Sequence, residues 1–157
     1  MRFDPDQRFS GSTLNIAQGS GEYLSMAKIL VVDDAPTVRS MVGKALREDG
    51  HDITEAANGV EGLQHAEKYE FDLVVTDVNM PEMNGIELCR ALRKRFTYQK
   101  VPILMLTTEG RSRLIAEGKE AGASGWIVKP FEPRKLCMAV EMLIKKSRGR
   151  EAMIRRA

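Results

Sequence analysis

Three short, unbroken apolar runs constrain this chain more than any other feature: Ile29–Val32, Leu73–Val75 and Ile103–Leu106. Runs of this length without polar alternation suit strands covered on both faces, the condition of parallel strands packed under helices. "HDITEA" (His51–Ala56) mixes in polar residues and suits an edge strand, and "GWIVK" (Gly125–Lys129) is short enough for the opposite edge. Helix patterns fill the gaps. Val38, Met41, Val42, Ala45 and Leu46 form one apolar stripe, and Asn58 stands as an N-cap before "GVEGLQHAEKY". Leu88, Cys89, Leu92 and Phe96 form a third stripe, and Leu136, Val140, Leu143 and Ile144 form a last one behind Pro133. The segment Ser112–Ala121 is the poorest helix, with Gly118 inside it and little beyond Leu114 and Ile115 to bury.

Five β-α pairs with short connections predict an α/β fold. It is a flavodoxin-like, doubly wound, five-stranded parallel sheet of order 2-1-3-4-5, with helices on both faces. A chain of 157 residues holds one such core. Residues 1–25 mix Gly, Ser, Asp and Pro with no sustained period, which predicts a disordered leader, a folded domain over 26–148 and a basic tail over 149–157.

Composition narrows the function classes. Hydrophobic content of 43% and charged content of 29% are those of an ordinary globular protein. The apolar runs are too short to span a membrane and no signal peptide leads the chain, so a cytoplasmic protein without membrane contact is expected. Cys89 and Cys137 lack metal or redox spacing and read as small buried hydrophobes. Met80, Met83, Met105, Met138 and Met142 read as core filler or loop anchors. Between Arg134 and Ala157 there are eight Lys/Arg against Glu141 and Glu151, a local charge of +6. No aromatics are interleaved, so this reads as a solvated helix face and no nucleic-acid partner is expected.

The polar residues converge. Asp33 and Asp34 follow the first strand, Asp77 ends the third, Thr107 ends the fourth and Lys129 follows the fifth. In a parallel sheet these carboxyl ends share one edge, and the crevice where the strand order reverses is the usual ligand site. Any one such Asp is ordinarily a turn former or cap, and Asp34 before "APT" could cap the first helix. Three together repel one another unless a cation intervenes. An all-oxygen set with no His or Cys suits Mg²⁺. An Asp carboxylate beside Mg²⁺, a Lys and a Thr hydroxyl suits phosphoryl transfer through an aspartyl phosphate.

Four segments, "ILVVDDAPTVRSMV", "DLVVTDVNMPEMNGIEL", "PILMLTTEG" and "AGASGWIVKPF", resemble in order and spacing the receiver domain of two-component response regulators, most closely the single-domain CheY-type chemotaxis regulators. The resemblance spans about Lys28 to Arg148. It implies that Asp77 accepts the phosphoryl group of a CheA-like histidine kinase. It further implies that Asp34 and Asp77 bind Mg²⁺ directly, Asn79 through its backbone carbonyl and Asp33 mainly through water. Lys129 and the Thr107–Thr108 pair would engage the phosphoryl group, Trp126 would change rotamer as Thr107 moves, and Lys129–Pro130 would be cis. Asn79 and Glu109 occupy the positions that tune dephosphorylation, and their identities look like the chemotaxis type.

Output is expected through the fourth helix, fifth strand and fifth helix, where Ile115, Lys119, Trp126 and Val128 face a partner. That partner is a flagellar switch or another protein target, with a phosphatase to end the signal; the regulator itself is expected to be a monomer and no enzyme toward other substrates. Ala35 and Trp126 depart from the residues commonest in the family. The alternative within this reading is a phosphorelay intermediate that passes the group to a histidine phosphotransfer protein. A haloacid-dehalogenase-like hydrolase needs a second Asp two residues after the nucleophile, where Asn79 stands. A flavodoxin-type carrier needs a phosphate-cradling loop where "DDAPT" presents carboxylates.

Overall fold

The structure, a computed structural model, describes residues 26–156, so the expected leader over 1–25 lies outside the described residues. In chain order the elements are β1 (Lys28–Val32), α1 (Pro36–Glu48), β2 (Asp52–Ala56), α2 (Gly59–Lys68) and β3 (Leu73–Asp77). There follow α3 (Gly85–Arg93), a 3-10 turn (Phe96–Tyr98), β4 (Ile103–Thr107), α4 (Ser112–Ala121), β5 (Gly125–Val128) and α5 (Pro133–Arg156). Every strand pair is parallel, and the order is β2-β1-β3-β4-β5, as the sequence predicts.

Strand period two separates two cores. Leu30, Val32, Val74, Ile103 and Met105 face Ala66 of α2, Leu88, Cys89 and Leu92 of α3 and Ala121 of α4. Ile29, Val31, Leu73, Val75, Leu104 and Leu106 face Val42 and Leu46 of α1 and Leu136, Val140 and Ile144 of α5. Burial on both faces explains why β3 and β4 carry no exposed residue. Register then levels the carboxyl ends: Val32 pairs with Thr76, Asp77 with Leu106, and Thr107 with Val128.

Local signals place the helices. The Asn58 side chain accepts from the Glu61 N–H at 2.8 Å, as its N-cap position predicts. Asn84 and Glu87 form a reciprocal capping box at the start of α3, with bonds of 2.8 and 2.9 Å. Asp34 does not cap α1; Ala35 holds that position without a side-chain bond and Pro36 follows it.

Four expectations are corrected. Phe96 is not part of the α3 stripe: the helix ends at Arg93, and Phe96 begins the 3-10 turn 87% exposed. Tyr98 fills the interior instead, its hydroxyl donating to Tyr69 O at 2.6 Å. Met138 and Met142 are exposed, because they lie two residues off the Leu136/Val140/Ile144 stripe and so about 200° around the helix. Cys137, on the flank of that stripe, is only half-buried. Helix α5 continues past Ile144 without a break to Arg156, so the basic segment from 149 to 156 belongs to the helix.

Candidate functional site

Strand β1 delivers Asp33 and Asp34 at its carboxyl end, and β3 delivers Asp77 beside them. Carboxylate oxygens of all three lie within 4.8 Å of one another. The cation demanded by three crowded acids is Lys129, whose Nζ lies 3.1 Å from both Asp33 Oδ2 and Asp77 Oδ1. It reaches them from the loop after β5, where the Lys129–Pro130 peptide is cis as the resemblance implies.

The two adjacent acids have opposite surroundings. Asp33 is buried, and its second oxygen accepts from the Ala35 N–H at 2.9 Å. Asp34 is exposed, and its carboxylate has no hydrogen-bond partner among the described residues. The loop they occupy is anchored by Arg39, which donates to Asp33 O at 2.7 Å and pairs with Glu55 of β2 at 3.4 Å. The sequence reading missed Arg39; its only signal is a basic residue on the first turn of α1, near the polar edge strand.

Burial pushes the Asp77 carboxyl above its ordinary range, the Asp33 charge pushes it further, and Lys129 offsets only part of this. For Lys129 burial alone favours the neutral amine, but hydrogen bonds and charge from Asp33 and Asp77 outweigh it and hold the ammonium above its usual value. Asp77 is thus a nearly buried carboxylate with a fixed cation on one oxygen.

Thr107 is fully buried at the end of β4, and its Oγ1 accepts from the Glu109 N–H at 3.1 Å. Thr108 is exposed and Glu109 is half-buried on the loop before α4. Asn79 is exposed two residues beyond Asp77. On the α4-β5 side, Ile115, Lys119 and Trp126 border a shallow hollow of about 100 Å³, while Val128 is 43% exposed further along β5. These four do not join the acid cluster. Ile115, Lys119 and Trp126 form a separate patch, and Val128 pairs in register with Thr107 at the strand ends. The donor set at Asp33, Asp34 and Asp77 is all oxygen, with Asp34 exposed and the other two buried, and fits a hard divalent cation.

A three-acid pocket with a bridging lysine, at the carboxyl edge of a 2-1-3-4-5 parallel sheet, defines a receiver-type α/β protein. The chain belongs to the response regulator receiver domain family, whose model matches residues 29–141. It is 40% identical over 127 residues to a chemotaxis protein CheY homolog of Campylobacter jejuni, covering 80% of this chain and 98% of that one. It is 45% identical over 105 residues to chemotaxis protein CheY-3 of Vibrio cholerae, covering 66% of this chain and 81% of the relative. Among solved structures it resembles the chemotaxis response regulator CheY4 of Vibrio cholerae, with a TM-score of 0.73, 45% identity, and coverage of 75% of this chain and 98% of that one.

Proposed function

We propose that Asp77 accepts a phosphoryl group from the phosphohistidine of a CheA-like histidine kinase and that the modified site reshapes the surface of α4, β5 and α5 for a protein target. The observation that carries this is the Lys129 bridge: one ammonium 3.1 Å from each of Asp33 and Asp77, with Asp34 open beside them. In the transfer an Asp77 oxygen forms the new P–O bond while the P–N bond to the donor imidazole breaks, and the imidazole leaves neutral after taking a proton. Lys129 stays with the transferred oxygens and offsets their charge. Asp34 and Asp77, with the Asn79 carbonyl, would hold Mg²⁺ directly and Asp33 through water. The cation would supply further neutralisation of the phosphoryl oxygens.

Buried Thr107 is one strand end away from Asp77, and exchange of its Glu109 bond for a phosphoryl oxygen would draw the loop before α4 toward the site. Phosphorylation adds close to two negative charges, enough to bias such a loop. Likeness to chemotaxis regulators along nearly their whole length favours the flagellar switch as target. Mass spectrometry after incubation with a small phosphodonor and Mg²⁺ tests the reading. One acid-stable, base-labile phosphate is expected, absent in Asp77→Asn; no adduct on the wild-type chain would overturn it.

A further inference from the structure

The indole of Trp126 on β5 lies across α4 at Gly118. A Cβ at position 118 would stand 2.5 Å from the indole Cζ3 and 3.3 Å from Cε3, closer than packed carbon atoms come. Gly118 is buried within α4, where the backbone is helical and no left-handed angle calls for glycine. Glycine is otherwise a poor choice inside a helix. What it provides here is room: the missing methyl is the space the ring fills.

A second observation sets the strength of this contact. The Trp126 Nε1–H is buried and finds no acceptor among the described residues. A buried donor without a partner disfavours the arrangement that holds it, so ring packing on Gly118 and the unmet N–H oppose each other. In this same arrangement Thr107 Oγ1 is engaged by the Glu109 N–H of its own loop.

We infer that Gly118 is a positioning residue: it seats Trp126 in the arrangement in which Thr107 is bonded within its own loop, and so sets how readily the chain switches. The inference rests on the receiver reading above. Weakening the seat lowers the gap to the alternative arrangement, and by linkage a ligand that prefers that alternative then binds more tightly.

Trp126 is the single tryptophan of the chain, so its emission reports the seat without a label. In Gly118→Ala without any phosphoryl mimic, the emission maximum is expected at longer wavelength and iodide quenching is expected to rise. The apparent affinity for beryllofluoride with Mg²⁺, read by thermal shift, should tighten roughly 5-fold or more. In a Trp126→Phe background the same Gly118→Ala change should leave that affinity unmoved, an outcome a general loss of stability would not give. Unchanged emission in Gly118→Ala would overturn the proposal, as would a weaker affinity or an equal shift in both backgrounds. A wild-type chain that binds no beryllofluoride would instead remove the receiver reading, and the emission comparison would still decide the seat.

Discussion

Gly85, the first residue of α3, is pressed against the backbone of Asp77: a Cβ there would overlap the Asp77 carbonyl oxygen and lie 3.0 Å from both Asp77 C and Val78 Cα. The Gly85 N–H donates to Val78 O at 2.8 Å, so the amino end of α3 is laid directly on the end of β3. Any side chain at 85 must move Asp77, the residue proposed to accept the phosphoryl group. Gly85→Ala is expected to slow phosphorylation by small donors on the order of 100-fold, since a shift near 1 Å suffices for such a loss. Overpacking should also cost about 1–3 kcal/mol of stability, read by denaturant unfolding. An alanine variant as fast as wild type would show that this contact does not set the position of Asp77.

Asp77 is also where the fold is held at a cost. Burial and the Asp33 charge raise its carboxyl above the ordinary 3.8, which means the ionised form is disfavoured in the folded chain. The sign follows: the penalty is fully present above the folded value and fades as pH falls through it. Asp77→Asn removes the penalty and leaves Lys129 its bond to Asp33. In EDTA near neutral pH the variant should melt higher by about 2–4 °C, an effect of about 1 kcal/mol. The gap should narrow toward pH 4, and calorimetry at both pH values checks it. A lower melting temperature at neutral pH would mean that the Asp77–Lys129 bond outweighs the repulsion.

Much of this was legible in the sequence because parallel strands buried on both faces leave apolar runs that end where the chain emerges into the crevice. Asp33, Asp34, Asp77, Thr107 and Lys129 could be placed from that alone, since strand ends in such a sheet lie level. What could not be read depends on where helices stop and on which neighbours meet across elements. Phe96 continues the spacing of Leu92 but falls beyond Arg93, whose guanidinium donates instead to the carbonyls of Tyr98, Val101 and Gly122 at 2.6, 2.6 and 2.7 Å. Those bonds fold the chain back and hand the interior position to Tyr98. The roles of Gly85 and Gly118 are invisible for a like reason: each is pressed against a residue of a neighbouring strand, and neither has a local conformation that requires glycine.

The resemblance implies a direct Mg²⁺ ligand in Asp34 and a water-mediated one in Asp33, and the two carboxylates differ in their surroundings. Both Asp33 oxygens are engaged, by Lys129 at 3.1 Å and by the Ala35 N–H at 2.9 Å, while the Asp34 carboxylate is exposed. A direct ligand must give up its existing partners, and Asp34 has the fewest to lose. Asp34→Ala should weaken Mg²⁺ binding by about 10-fold or more relative to Asp33→Ala, a difference of about 1.4 kcal/mol. Magnesium titration followed by isothermal calorimetry checks the order. Equal losses would assign the two acids the same role.

His51 gives the fold a dependence on pH that is separate from the acid cluster. It is 5% exposed, and its Nδ1 accepts from the Ala27 N–H at 3.1 Å, which places the proton of the neutral ring on Nε2. Charging the ring would set a second proton against that N–H. Burial lowers its pKa below the ordinary 6.5; Asp49 and Glu141 pull it back up, and Arg148 adds to the lowering. Above that ordinary value both the folded and unfolded chains carry neutral His51, and stability is unaffected. As pH falls through 6.5 the unfolded chain takes up a proton that the folded chain refuses, so stability drops until the folded value is reached. His51→Asn keeps an acceptor for Ala27 and removes the titration. Between about pH 7.5 and pH 5.5 the variant should lose less stability than wild type, by an amount on the order of 1 kcal/mol, measured by urea unfolding at the two pH values. Parallel losses in the two proteins would show that His51 takes up its proton inside the fold as readily as outside it.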